Sequence, residues 1–200
     1  MSDLQQLAAE VSACTRCVLH KSRVKAVPGE GPAHADIMFI GEGPGFHENQ
    51  QGRPFVGAAG QFLDELLNLI GLKREQVFIC NVVKCRPPGN RDPLPEEIEA
   101  CKPYLDRQIA LIQPKVIVTL GRYSMARVFP NEKISAIHGK PKKVDGIVYV
   151  PMFHPAAALH QPSLRRTVED DFKQLPAILA ELDRVEEEEL PAQAQQLSLF

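Results

Sequence analysis

Four short runs of apolar residues are spaced along the chain. They are rich in Val and Ile, and they read DIMFIG from Asp36, VFICNVV from Val77, KVIVTLG from Lys115 and IVYVPMF from Ile147. Strands that are covered on both faces show continuous apolar runs, whereas strands with one solvated face alternate apolar and polar residues. The pattern therefore predicts four buried β-strands.

Amphipathic helical patterns lie between these runs. The clearest one covers residues 57–70 and places apolar side chains on one stripe, at Phe62, Leu66, Leu67 and Ile70. Further helices are predicted over residues 95–112, after Gly121, and from about residue 166 to 184. Strands that alternate with helices predict an α/β fold with a mostly parallel sheet. In such sheets, ligand sites form at the carboxyl ends of the strands.

The composition is that of a folded domain followed by an acidic tail. The chain has 200 residues, of which 44% are hydrophobic. Residues 186–200 carry four acids and no base, so that residues 1–185 hold 23 bases against 21 acids. We therefore expect one domain over residues 1–185 and a disordered tail over residues 186–200. Mild positive charge on the domain permits binding to nucleic acid but does not argue for it.

No apolar stretch is long enough to span a membrane, and the acidic N-terminal segment does not resemble a secretory signal. We therefore expect a cytoplasmic protein.

The first apolar run continues into a glycine-rich turn, which reads GEGPG over residues 41–45. A dinucleotide fingerprint would need a third glycine where this chain has Phe46, and Pro44 lacks the backbone N–H that a phosphate cradle uses. The turn therefore favours a tight strand-to-helix connection. A ligand that needs close backbone approach is the second interpretation, and a dinucleotide is the third.

Four of the five cysteines form two pairs that lie far apart in the sequence. The pairs are Cys14 with Cys17 and Cys85 with Cys101. Four thiolates in two pairs indicate a metal site, although the spacing alone does not separate zinc from an iron–sulfur cluster. The fifth, Cys80, lies in a predicted strand, where we expect it to pack as a small hydrophobic side chain.

Four motifs occur together in one order: GEGPG, GRPFVGAAG, NVVKCRPPGNR and MFHPAAAL. Over about residues 12–183 the chain thereby resembles the family 4 uracil-DNA glycosylases, the iron–sulfur branch of the uracil-DNA glycosylase superfamily. The resemblance implies a three-layer α/β/α fold with a central parallel four-stranded sheet. It also implies a hydrolase that removes uracil from single- or double-stranded DNA and leaves an abasic site. Finally, it implies a [4Fe–4S] cluster on Cys14, Cys17, Cys85 and Cys101.

The resemblance implies a pocket for a uracil that has been flipped out of the base stack, as chemistry on a base in DNA requires. Phe55 would stack on the base. Asn81 would pair with O4 and N3–H, and cytosine offers the opposite pattern at those atoms. His154 would donate to O2, where a donor stabilises the charge that builds up on the leaving base.

Carboxylates and glycines complete the predicted pocket. Gly41 and Gly43 would allow close approach to the base, and Glu42 between them would stabilise the sugar cation or orient the attacking water. The alternative is that Glu42 acts through its backbone, or by holding a residue that itself contacts the base. Glu48 would crowd C5 of the base and so exclude thymine.

Leu159 is a candidate wedge for the space that the flipped base leaves. Arg86 and Arg91 are expected to lie on the DNA backbone. The stretch between Asn81 and Cys101 lacks the histidine-bearing insert of the relatives that trap uracil covalently, so turnover is expected. No lysine of these motifs is placed to form a Schiff base, which predicts a monofunctional enzyme. We also expect a monomer.

The last five residues, QLSLF, resemble the peptide that binds the bacterial sliding clamp. The residues that would make this contact are Gln196, Leu197, Leu199 and Phe200. A tether of this kind would raise the local concentration of the protein at replicating DNA in a bacterial cytoplasm. Two rival interpretations remain open: a non-enzymatic binder of uracil-containing or single-stranded DNA, and a zinc or redox protein with a nucleotide pocket.

Overall fold

The computed structural model describes residues 2–185. The strands are Ile37–Gly41 (β1), Phe78–Asn81 (β2), Val116–Leu120 (β3), Lys142–Val144 (β4) and Ile147–Met152 (β5). The helices before β4 are Asp3–Ala13 (α1), Phe46–Gln51 (α2), Ala58–Leu69 (α3), Pro95–Ile112 (α4), Arg122–Ala126 (α5) and Ile134–Ile137 (α6). After β5 come Pro155–His160 (α7) and Leu164–Phe172 (α8).

The strands form one sheet in the order β2-β1-β3-β5-β4. The first four strands in this order are parallel, and they are the four apolar runs that the sequence predicts. The predicted α/β class with a parallel four-stranded core is thus confirmed. The fifth strand, β4, was not predicted; it reads KKV and pairs antiparallel with β5 at the edge of the sheet.

Two hydrophobic layers cover the two faces of the sheet. Alternate residues of β1 serve different layers: Met38 and Ile40 pack on the side of α1 and α4, and Ile37 and Phe39 on the side of α3 and α8. Phe39 stacks on Phe172 of α8 with ring centroids 5.7 Å apart. Because both faces are buried, the strands read as continuous apolar runs.

One predicted helix is divided in two. The sequence pattern from about residue 166 to 184 predicts a single helix, whereas α8 ends at Phe172, residues 173–174 form a turn, and residues 175–185 are helical again. The apolar stripe continues across the turn, since Phe172 and Leu175 are both fully buried. The continuous apolar stripe therefore predicted one helix, whereas the backbone forms two helical segments. No helix among the described residues is long and apolar enough to cross a membrane.

Candidate active site

A cavity of about 550 Å³ opens where the carboxyl ends of β1, β2 and β5 meet. Seven of the residues that the sequence predicts for the site line this cavity: Glu42, Gly43, Glu48, Phe55, Asn81, Arg91 and His154. They come from segments that are distant in sequence and are assembled by the parallel strand order. The structure therefore brings the residues of the predicted pocket together, while their roles stay predictions.

His154 begins α7 as its N-cap residue. Its Nδ1 accepts a hydrogen bond from the backbone N–H of Ala156 at 3.1 Å, so that a neutral ring carries its proton on Nε2. Burial lowers the pKa of His154 to about 4, which keeps the imidazole uncharged at neutral pH. The His154 imidazole is therefore uncharged and can donate a hydrogen bond from Nε2.

Asn81 is the last residue of β2 and is almost fully buried. Its Oδ1 has no hydrogen-bond partner among the described residues. Gly41, on the adjacent strand, lies so close that a Cβ there would overlap this oxygen and the ring of Phe55. An unpaired buried acceptor costs about 1–3 kcal/mol. A ligand donor that reached Asn81 would recover this cost.

Phe55 is buried but holds an unusual backbone conformation, with φ at 50°. A bulky residue rarely adopts the left-handed region, and such strain costs on the order of 1–3 kcal/mol. Its ring is stacked toward the His154 imidazole with centroids 5.5 Å apart. The strain therefore places an aromatic face at the wall of the cavity, beside the predicted donor.

Glu48 supports the loop that carries Phe55. Its Oε1 accepts hydrogen bonds from the backbone N–H groups of Val56 at 2.8 Å and Gly57 at 2.9 Å. Its other oxygen lies against Gly45, where a Cβ would crowd it. The carboxylate therefore has a clear structural role in addition to lining the cavity.

Glu42 occupies the turn after β1, and its Oε1 accepts a long hydrogen bond of 3.4 Å from the N–H of Tyr123. Burial raises the pKa of Glu42, and the backbone N–H groups of Tyr123 and Arg122 oppose that shift. A carboxylate with a raised pKa can take a proton from water more readily than an exposed one. This position fits a group that orients or activates water.

A second, narrower cavity lies between α1, the β2–α4 loop and α4. It is lined by Cys14, Cys17, Cys85 and Cys101, so that the two sequence pairs meet at one place. Backbone and side-chain N–H groups already point at the sulfurs: Arg23 Nη1 lies 3.4 Å from Cys85 Sγ, and the N–H of Lys84 lies 3.3 Å from Cys101 Sγ. Burial raises the pKa of the Cys101 thiol to about 11.

Among residues 2–185, no group of three or more His, Cys, Asp or Glu side chains is arranged to hold a metal ion. Four cysteines that line one cavity, with N–H donors directed at two of the sulfurs, are a donor set that suits a thiolate-ligated metal centre. Cys80 is fully buried in β2 and does not line this cavity, as predicted for a packed side chain.

Lys84 links the two cavities, and the sequence analysis missed it. Its side chain is 1% exposed, and its Nζ donates to the carbonyl of Asn81 at 2.8 Å and to Gln108 at 2.6 Å. Its backbone N–H meets Cys101 as described above. One buried lysine therefore connects the strand end that carries Asn81 with the cysteine cavity. Lysine side chains are rarely buried, so no sequence pattern gave a reason to expect Lys84 in the core.

The three residues predicted to touch DNA lie in different settings. Leu159 is 43% exposed on α7 and does not line the cavity, although its neighbour His160 does. Arg86 donates to Asn90 at 2.7 Å and lies over the ring of Phe46. Arg91 forms a two-pronged ion pair with the buried Glu97 at 2.6 and 2.9 Å, which ties the loop to α4. Their contacts with DNA stay predictions.

Comparison with known proteins identifies the family. A model described as the uracil DNA glycosylase superfamily matches residues 28–182. A type-4 uracil-DNA glycosylase of Sulfurisphaera tokodaii is 50% identical over 185 residues, which cover 88% of this chain and 84% of that protein. A type-4 uracil-DNA glycosylase of Thermotoga maritima is 44% identical over 183 residues, covering 88% and 95%. A type-5 uracil-DNA glycosylase of Pyrobaculum aerophilum is 29% identical over 187 residues, covering 78% and 82%.

The chain belongs to the uracil-DNA glycosylase superfamily, and its higher identity to the type-4 relatives places it in the type-4 family. The family that the sequence motifs indicated is thus confirmed.

Proposed function

We propose that this protein is a monofunctional uracil-DNA glycosylase, which hydrolyses the N-glycosidic bond of uracil in DNA and leaves an abasic site as the first step of base excision repair. The observation that carries the proposal is the pairing of two groups in one cavity. Asn81, whose amide oxygen has no partner among the described residues, and His154, whose imidazole is neutral, line the same cavity as Phe55. The names of the type-4 relatives support the same activity.

The reaction begins when uracil is flipped from the stack into the cavity. Phe55 offers its face to the base, and this stacking contributes about 1–3 kcal/mol. The side-chain oxygen of Asn81 accepts from N3–H while its NH₂ group donates to O4. Cytosine has an acceptor at N3 and a donor at C4, so it leaves both groups mismatched.

The N1–C1′ bond then breaks, and its electron pair moves onto the uracil ring. The Nε2–H group of His154 donates to O2 and stabilises the developing charge. A water oxygen forms the new bond to C1′, and Glu42 orients that water and accepts its proton. The uracil anion is released and is protonated by solvent.

Glu48 and Gly43 shape the pocket. By likeness to the family, Glu48 crowds C5 of the base, so that the methyl group of thymine has no room. Its hydrogen bonds to Val56 and Gly57 support this role, because they fix the carboxylate beside Phe55. Gly41 and Gly43 leave the wall free of side chains.

Leu159, Arg86 and Arg91 would contact the DNA around the flipped nucleotide.

Cys14, Cys17, Cys85 and Cys101 hold a [4Fe–4S] cluster in this proposal. Their convergence on one cavity supports it. The cluster, when bound, supplies cross-links between the N-terminal segment and α4 rather than chemistry on the base. The N–H groups of Arg23 and Lys84 would stabilise the thiolate charge, which burial alone disfavours.

The sliding-clamp contact concerns Gln196, Leu197, Leu199 and Phe200, which lie outside the described residues. We also propose a domain over residues 1–185 with a tail over residues 186–200, a monomeric state and a cytoplasmic location.

Titration of a labelled peptide of residues 186–200 against a bacterial sliding clamp tests the clamp contact. Saturable binding supports it, and no binding at high micromolar peptide removes it.

The activity is tested with two matched oligonucleotides that carry either uracil or thymine at one position. Alkali should cleave only the uracil strand after incubation with the protein. Without alkali, and with borohydride, there should be neither cleavage nor a covalent adduct. Release of thymine, or no release of uracil by protein that contains its cluster, would contradict the proposal.

A further inference from the structure

A single guanidinium, that of Arg74, holds the two carbonyls that precede and follow the strained turn at Phe55. Its Nη1 donates to the carbonyl of Phe55 at 3.1 Å, and its Nη2 donates to the carbonyl of Pro54. The side chain is 13% exposed, and it lies in the short 3₁₀ segment Arg74–Gln76 before β2.

Two carboxylates fix the orientation of that guanidinium. Glu30 accepts from Nε of Arg74 at 2.6 Å, and Asp64 accepts from Nη1 at 3.1 Å. A planar guanidinium with a rigid fork of donors can bridge neighbouring carbonyls, which a lysine ammonium does less well. The donors of Arg74 are therefore directed by contacts on two sides.

Close packing on the other side limits where the Phe55 carbonyl can go. Gly60 of α3 lies directly against it, and a Cβ at residue 60 would overlap the carbonyl carbon and oxygen of Phe55. With φ at 50°, Phe55 would relax toward negative φ if the carbonyl were released. Such relaxation would turn the ring away from its present place beside His154.

We propose that Arg74 is the positioning residue of the base-stacking face: it acts on catalysis only through Phe55, by holding the strained backbone that presents the ring to uracil. This inference rests on the proposed function and deepens it. It names a residue outside the cavity that sets how well the pocket is prepared for the base.

The experiment is a double-mutant cycle with Arg74→Gln and Phe55→Ala, measured as kcat/KM on a uracil oligonucleotide and as inhibition by free uracil. Arg74→Gln alone should lower kcat/KM about 10-fold or more, comparable to the loss of one stacking contact. It should weaken inhibition by uracil in proportion. In the Phe55→Ala background, the same substitution should change either value by less than about 2-fold, since coupled residues are not additive.

Arg53→Gln is the matched control, because the Arg53 side chain also binds Glu30, at 2.8 Å, but is 57% exposed and, among the described residues, donates to neither the Pro54 nor the Phe55 carbonyl. It should behave as wild type. If Arg74→Gln does not fold, Arg74→Lys and Glu30→Gln supply milder changes for the same cycle. Wild-type values with Arg74→Gln, or full additivity with Phe55→Ala, would overturn the inference. Lack of uracil release by the wild-type protein would instead refute the proposed function.

A second inference rests on a different feature, an exposed aromatic ring at the mouth of the cavity. Phe46, the first residue of α2, is 51% exposed and lines the same cavity as Asn81 and His154. The guanidinium of Arg86 lies 5.3 Å from the centre of its ring. A stacking partner on this ring would remove apolar surface from water, which is favourable.

We infer that Phe46 and Arg86 form a stacking subsite for the nucleobase next to the flipped uracil. The occupant follows from continuity with the cavity: a strand whose uracil lies on Phe55 must continue past the mouth that Phe46 lines. Rings and guanidinium planes are the surfaces on which unstacked bases lie in complexes with single strands. This inference, too, rests on the proposed function.

The test compares wild type, Phe46→Ala and Phe46→Tyr on three single-stranded substrates: intact, lacking the base 5′ of uracil, and lacking the base 3′ of uracil. Phe46→Ala should raise KM about 10-fold on the intact strand, and Phe46→Tyr should not. The defect should vanish on one of the two abasic substrates. An unchanged KM, or the same defect on all three substrates, would overturn the inference.

Discussion

The base cavity and the cysteine cavity are opposite kinds of site in one small fold. In the base cavity, hydrogen-bonding groups remain available for a ligand: Asn81 Oδ1 has no partner among the described residues, and His154 has a neutral Nε2–H that can donate. In the cysteine cavity, N–H donors of Arg23 and Lys84 already point at the sulfurs. Under the proposed function, the first site binds a ligand that is released after each turnover, and the second binds a cluster that stays.

The difference between the two cavities shows that the features that lower stability lie in the base cavity. An unpaired buried acceptor and a strained Phe55 both destabilise the free protein, and both become useful only when a base is bound. At the cysteine cavity, the same chain instead provides donors that stabilise bound thiolates. Substitutions should therefore separate activity from stability in the base cavity and couple them in the cysteine cavity.

The largest effect on activity is expected at His154. His154→Ala removes the donor to O2 and should lower kcat by about 100-fold or more, with little change in Tm. Single-turnover release of uracil measures this directly. His160→Ala is the matched control, because His160 lines the same cavity on an exposed part of α7. An equal loss in both variants would contradict the assigned role.

The largest effect on stability is expected at Cys101. Cys101→Ala should abolish absorption near 400 nm and lower Tm by about 5–10 °C, since ~1 kcal/mol corresponds to about 2–4 °C for a chain of this size. Cys80→Ala, a buried cysteine outside the cavity, serves as the control and should keep the colour. Retained colour in Cys101→Ala would rule out this cysteine as a ligand.

Asn81→Leu should move activity and stability in opposite directions. Removing a buried oxygen that has no partner among residues 2–185 should raise the free energy of unfolding by about 1 kcal/mol, while loss of the base contacts should lower kcat/KM about 10- to 100-fold. Urea unfolding and uracil release on the same preparation measure both. A variant that is both less stable and less active would show that Asn81 Oδ1 is satisfied in solution.

The acid limb of the pH profile should belong to Glu42. Burial raises its pKa, so that the active carboxylate form is lost as pH falls through a value above 4.5. Wild-type kcat/KM should fall tenfold per pH unit below that value. The residual activity of Glu42→Gln should be flat over the same range. An unchanged acid limb in this variant would assign the limb to another group.

The sequence predicted most of what depends on local pattern. The four parallel strands were predictable because strands buried on both faces are continuously apolar. The edge strand β4 was missed because its KKV is largely exposed, although the Asp145–Gly146 turn that follows is a hairpin signal. The motifs also indicated most of the residues that line the cavity.

Contacts between distant segments were not predictable in the same way. Arg74 reaches Phe55 across 19 residues, and Lys84 reaches Gln108 across 24. Neither has a local pattern, since each role depends on where two elements meet in the fold. Phe55 itself was predicted from its motif, but the left-handed backbone that aims its ring was not.

The central claim is that His154 works as an uncharged Nε2–H donor, and a pH titration of its ring nitrogens by ¹⁵N NMR tests it most directly. The account predicts a neutral ring protonated on Nε2 at pH 7, with protonation only near pH 4. Since the unfolded pKa is about 6.5, unfolded chains bind more protons between these values, and stability should fall as pH decreases through this range. An imidazolium at pH 7, or a proton on Nδ1, would contradict the account.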